Sequence, residues 1–150
     1  MPGISAADIA YCGGMDPDTR RAWMKAGRLG GPPYSEHDAV ETAVAAALSA
    51  ATNTQRAPRA LRSFRTELRE ASLARAADLW AVVPRQGNQF RLVRGAEAAA
   101  RTTADLGRPV WIVPLERAVQ EARERYAELK AEPRSEGSVS KLPSEKPLSN

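Results

Sequence analysis

Apolar positions recur at helical spacing along most of the chain, and the breaks between these runs carry residues that start and stop helices. "ISAADIAYCGG" predicts a short helix: Ser5 is an N-cap candidate, Asp8 completes a capping box, Ile4 and Ile9 form a staple, and Gly13 and Gly14 end the helix in a tight turn. Asp16 then caps a second helix with Pro17 at its first position; this helix should reach Ala26 and stop at Gly27. Helix, glycine turn and helix in so few residues have the spacing of a helix-turn-helix. "GRLGGPPYSEHDAV" reads as a loop followed by a third start, Ser35 with Asp38. Val40, Ala43, Val44, Ala47 and Leu48 form an apolar stripe on the helix that follows, which should fade near "AATNTQ". "APRALRSFRTELREASLARAADL" predicts one amphipathic helix with Pro58 in its first turn. Leu61, Phe64, Leu68 and Ala71 share one face of it, and Arg62, Arg65 and Arg69 another.

The period then changes. "LWAVVPRQGNQFRLV" is two short apolar runs around a Gly-Asn turn and predicts a hairpin. An alanine-rich helix ending at Gly107, a strand in "RPVWIVP" and a final helix in "LERAVQEARERYAELK" complete a β-β-α-β-α unit. Leu115, Val119, Ala122, Tyr126 and Leu129 mark the buried edge of the final helix, which is expected to pack on its own sheet, and Glu121 with Arg125 is a favourable pair one turn apart. Its near-heptad spacing lasts only about two heptads, too short to require a coiled coil. Homodimerisation through this unit is the second reading. The segment from Glu132 onward is rich in Pro, Ser, Lys and Glu and reads as a disordered tail. The expected fold is mainly α with a small α/β unit: a helix-turn-helix domain over 1–52, a linking amphipathic helix over 53–78, a small α/β domain over 79–131 and a tail over 132–150.

Composition narrows this picture. The chain has 150 residues, 43% of them hydrophobic but only 5% aromatic. Much of the apolar content is alanine, so the core should be thin and helix-dominated. A net charge of +4 permits an anionic partner without demanding one. The one cysteine, Cys12, has no mate for a disulfide, and no Cys/His cluster is spaced to hold zinc. A reducing cytoplasm is the expected compartment. The N-terminal segment lacks the charged start and apolar run of a signal peptide, and no run approaches the ~20 apolar residues of a bilayer span. No membrane partner and no cofactor are expected.

On the second helix, Thr19, Ala22, Trp23 and Ala26 share a side suited to packing on the first helix. Asp18, Arg21, Lys25 and, just beyond the end, Arg28 share another, with Arg20 flanking it. No acid occurs between Arg20 and Arg28. A short helix with such a stripe suits a major groove, where arginine pairs with guanine edges or phosphates and the first residues do the reading: Asp18, Thr19, Arg20 and Arg21. The plainer reading is a solvated basic face. Arg62, Arg65 and Arg69, with Arg56 and Arg59 upstream, are the most basic patch; they read either as phosphate contacts or as a solvated face partly neutralised by Glu67 and Glu70.

"ADIA…GGMDPDTRRAWMKAGRL…YSEHD" resembles the N-terminal DNA-binding half of MerR-type regulators and the related excisionase-type helix-turn-helix of phages. Ala10, Gly14, Thr19, Arg21, Trp23, Gly27, Leu29, Tyr34, Ser35 and Asp38 occupy the places of that pattern, within residues 4–48. The resemblance implies that Arg21 and its neighbours contact DNA and that Trp23 packs or touches the backbone. Only "GGPP" stands where the family has a hairpin wing, so the wing is short or absent. The long dimerising helix and effector domain of those regulators are replaced by the α/β unit, so effector sensing does not carry over.

His37, the only histidine, lies beside Asp38 at a helix start but lacks a nearby nucleophile or metal partner. Cys12 reads as a packing residue, with a redox switch as the alternative. Trp80 and Trp111, in predicted strands, read as core; a ligand pocket between the hairpin and the last helix is the alternative. No nucleotide-binding, zinc-protease or hydrolase motif occurs, so an enzyme is not expected. The expected function is sequence-specific binding of double-stranded DNA by a small transcriptional regulator of repressor type, for which the resemblance implies a phage or mobile-element origin. The alternatives are an excisionase-like factor that bends DNA and an adaptor whose helix-turn-helix binds protein.

Overall fold

The computed structural model describes residues 3–132. The tail expected over 132–150 lies, beyond residue 132, outside the described residues. Seven helices and three strands are found among the described residues, in the order α1 (Ala6–Gly13), α2 (Pro17–Lys25), α3 (Glu36–Ala51), α4 (Arg56–Ser63), α5 (Arg65–Leu73), β1 (Leu79–Pro84), β2 (Arg91–Arg94), α6 (Ala96–Leu106), β3 (Val110–Pro114) and α7 (Glu116–Ala131). The fold is mainly helical with one small antiparallel sheet.

Local chemistry sets the helix starts. The Ser5 hydroxyl accepts from the Asp8 N–H at 3.1 Å while the Asp8 carboxylate accepts from the Ser5 N–H at 2.9 Å. These bonds satisfy two of the donors that a helix start leaves without partners. The Asp16 carboxylate accepts from the N–H groups of Asp18 and Thr19, and Pro17 fills the position where its missing donor costs nothing. The Asp38 carboxylate accepts from the Ser35 N–H at 2.7 Å. Gly14 closes α1 in the left-handed region at φ 68°, its N–H turned back to the last carbonyls of the helix.

The linking segment departs from expectation. It is two helices rather than one, and the break falls at Phe64 (φ −111°, ψ 25°), whose ring is buried in the core. Leu61, Phe64 and Leu68 remain inward across the bend. Each such side chain contributes about 1.5–3 kcal/mol by burial. The bend places Arg62 on a different helix from Arg65 and Arg69.

The sheet runs β2-β1-β3, with β1 central and antiparallel to both neighbours; Ala81 faces Leu92 on one side and Val113 on the other. Paired on both edges, β1 is buried almost throughout. The two tryptophans expected in the core are half-buried instead. Trp80 donates its indole N–H to Asp78 at 2.8 Å, and the Trp111 ring lies 4.5 Å under the Arg85 guanidinium. An indole with a polar partner and one wet face has no need of full burial.

The final helix is the second departure. Leu115 and Val119, at its start, belong to the main core with Leu79, Val83 and Val113. Beyond them α7 leaves its sheet and lies against α1 and α3, where Ala122 packs with Ile9, Cys12, Ala39 and Ala43, and Tyr126 and Leu129 cover that cluster. Small side chains make this possible. A Cβ on Gly13 would sit 2.5 Å from Thr42 Cγ2 and 2.8 Å from the Ala43 backbone nitrogen, so α1 meets α3 at a distance only glycine allows.

Candidate nucleic-acid interface

Helix α2 is rotated from the orientation expected. Its inward positions are Arg20 and Trp23, with Met24 half-buried; Thr19, Ala22 and Ala26 face out. Trp23 has the most apolar area to bury and sets the rotation, which carries Arg20 inward with it. Arg20 is only 2% exposed, so the expectation that it contacts DNA is corrected. Its Nε donates to Thr42 Oγ1 at 3.0 Å and its Nη2 to the Gly30 carbonyl at 2.9 Å, and its guanidinium stacks 5.1 Å from the Tyr34 ring centre. A buried cation needs such partners, and these tie α2 to α3 and to the loop before it.

The outward face carries Asp18, Thr19, Arg21 and Lys25, all exposed. Arg21 Nη1 pairs with Asp18 Oδ1 at 2.8 Å. Arg28, just past the helix, lies 5.9 Å over the Trp23 ring.

Where α2 ends, a groove of about 800 Å³ begins. Gly27 and Arg28 form one end, α4 with Arg59 and Arg62 forms the floor, and Asn88 of the β1–β2 turn, with Phe90 just after it, forms the far bank. Thr54, Gln55 and Ser63 add neutral polar groups, and no acidic side chain is among the lining residues. Arg65 is at its edge but is committed elsewhere: its Nε donates to Glu41 at 3.1 Å and its Nη2 to the Arg28 carbonyl. Glu41 is buried under it, with His37 Nε2 at 3.7 Å on its other side. Burial alone would raise the Glu41 carboxyl, but the nearby His37 imidazole and the Arg65 charge and hydrogen bond outweigh it and hold the group below the usual glutamate range. Arg69 is exposed and does not line the groove.

Thus Arg28, Arg62 and, at the edge, Arg65 are brought to one concavity, while Arg21 and Lys25 stand on the helix that leads into it. Asn88 and Phe90 were not singled out from sequence. They reach the groove because the hairpin folds back beside α4, and no local pattern announces that. Arg56 makes the join, its Nε and Nη2 donating to the Pro84 carbonyl at 3.2 and 2.9 Å and its Nη2 also to the Gly87 carbonyl, over the Phe90 ring at 4.8 Å.

Other places fit binding chemistry less well. Cys12 is buried, and desolvation, with Asp8 adding to it, pushes its thiol up to about 11, which suits packing rather than reactivity. A cleft of about 540 Å³ between the start of β1 and α7 mixes Asp78, Glu116 and Glu121 with Arg117 and so has no single charge preference. Among the described residues no group of acids, His or Cys is arranged to hold a metal ion, and no helix is long and apolar enough to cross a membrane. No protein-family model and no curated protein matches the chain.

Proposed function

We propose that the chain binds double-stranded DNA as a small, sequence-reading transcriptional regulator of repressor type. The observation that carries this reading is the groove free of acidic side chains, with Arg28, Arg59 and Arg62 along it, which starts where the exposed face of α2 ends. Arginines crowded without carboxylates repel one another, and a phosphate backbone relieves that repulsion while releasing counterions. The groove arginines hold the duplex by its phosphates; Arg21, with Thr19, Lys25 and Asp18 beside it, reads base edges from α2. Asp18 keeps Arg21 extended along the helix surface until a guanine edge replaces it. The MerR-like spacing of residues 4–48 supports the same assignment of α1 and α2.

Selection from a random duplex pool, followed by affinity for the winning sequence against salt, tests this. An enriched motif and a steep fall of affinity with salt are expected, with the slope reduced by about 1 for each of Arg59→Ala and Arg62→Ala. No enrichment together with a flat salt response would reject DNA as the partner.

A further inference from the structure

The far bank of the groove belongs to an element that the helical reading of DNA does not use. The β1–β2 turn, residues 85–89, is exposed throughout and carries three amides, Gln86, Asn88 and Gln89, and no carboxylate. Among the described residues no hydrogen bond occupies these side-chain amides. The turn is held in place from two sides. Arg56 of α4 grips the carbonyls of Pro84 and Gly87 and covers Phe90. On the other side, Arg108 Nη1 lies so near Gly87 that a Cβ there would approach it to 2.9 Å, and the Arg85 N–H is tied to the Pro109 carbonyl. A polar loop clamped at its base, with neutral amides at its tip and arginines around it, is suited to recognition rather than to charge neutralisation alone.

We infer that this turn is a second reading element, which recognises an A·T base pair flanking the site read by α2. Asn88, the amide that lines the groove, is its specificity-determining residue, and Arg56 positions it. The inference rests on the DNA-binding reading above. A carboxamide presents a donor and an acceptor side by side, which matches the N6 and N7 of adenine in the major groove. Guanine offers two acceptors at the same edge and cannot satisfy the amide oxygen, so this approach favours A·T. An amide carries no charge, so its contribution appears in sequence preference and not in salt dependence.

The test uses the full chain and the duplex selected by it, with each flanking pair set to A·T or G·C. The wild type should prefer A·T at one flanking position by about tenfold. Asn88→Ala should lose that preference while keeping the core motif, the salt slope and the melting temperature. Arg56→Ala should lose the same preference although it removes no groove-lining amide, and Arg56→Lys, which can still donate to the Pro84 and Gly87 carbonyls, should recover part of it. Retention of the flanking preference in Asn88→Ala, with affinity still lowered by Arg62→Ala, overturns the inference and leaves DNA binding intact. A wild type that ignores duplex DNA, whether it takes up single-stranded RNA, an acidic peptide or nothing, overturns both.

Discussion

Arg21 on α2 and Arg62 on α4 look alike in sequence: each is an exposed arginine on a short helix. Their surroundings are opposite. Arg21 is answered by Asp18 one turn away at 2.8 Å, and that face of α2 is close to balanced. Arg62 shares with Arg28 and Arg59 a groove whose lining has no acid. Arg20, next to Arg21 in the chain, has a third fate as an internal strut of the fold. A formal charge therefore says little until its neighbours are known. The groove is the region where positive charge is left unanswered, and the α2 face is where it is held in a particular geometry.

The largest effect that would sharpen this contrast is on folding. Arg20→Ala should destabilise the protein by about 3 kcal/mol, through a cavity against Tyr34 and loss of the donors to Thr42 and Gly30. Urea unfolding reads it. A variant of full stability with abolished DNA binding would instead place Arg20 among the reading residues. Next, the double variant Arg59→Ala/Arg62→Ala should weaken DNA binding about fiftyfold at about 0.1 M salt, since each lost phosphate contact forfeits nearly a tenfold factor there, with stability little changed. Arg21→Ala should cost about 1–3 kcal/mol for the selected site and much less for random duplex, the mark of a base contact; equal losses on both would make Arg21 a second groove arginine.

A smaller effect is expected in acid. Glu41 has its carboxyl held below the usual range in the folded state, so the stability it contributes is present at neutral pH. That contribution is lost as pH falls from the ordinary glutamate range of about 4.3 through the lower folded value. Urea midpoints followed from about pH 6 to pH 3 should fall less steeply in Glu41→Gln than in the wild type; parallel curves would mean that Arg65 and His37 do not hold the carboxylate ionised. The smallest change is Asp18→Asn. It should leave stability within about 0.5 kcal/mol, because an exposed pair contributes little, and raise affinity for random duplex modestly by freeing Arg21.

What was legible in the sequence was local. Capping residues act on donors two and three positions away, so Ser5, Asp16 and Asp38 announce α1, α2 and α3, and the Gly-Asn turn announces the hairpin. What was not legible depended on partners distant in the chain. The break at Phe64 has neither proline nor glycine to mark it. The inward turn of Arg20 with Trp23 is tolerated because Arg20 finds Thr42 and Gly30, 22 and 10 residues away. The groove needed α4 and the hairpin to meet through Arg56 and Pro84, 28 positions apart. The stripe on α2 was therefore partly readable, in Arg21 and Lys25, whereas the groove was visible only as a cluster of arginines without a shape.

The seat of α7 against α1 and α3 bears on how the chain folds as it is made. Translation proceeds from the N-terminus at about 5–20 residues per second, and α1, α2 and α3 emerge early. Their second apolar surface, Ile9, Cys12, Ala39 and Ala43, stays uncovered until Ala122 and the turns after it are synthesised. These helices of the nascent chain thus wait for α7, and a ribosome-bound intermediate stalled before Glu116 would display that alanine-lined surface to chaperones.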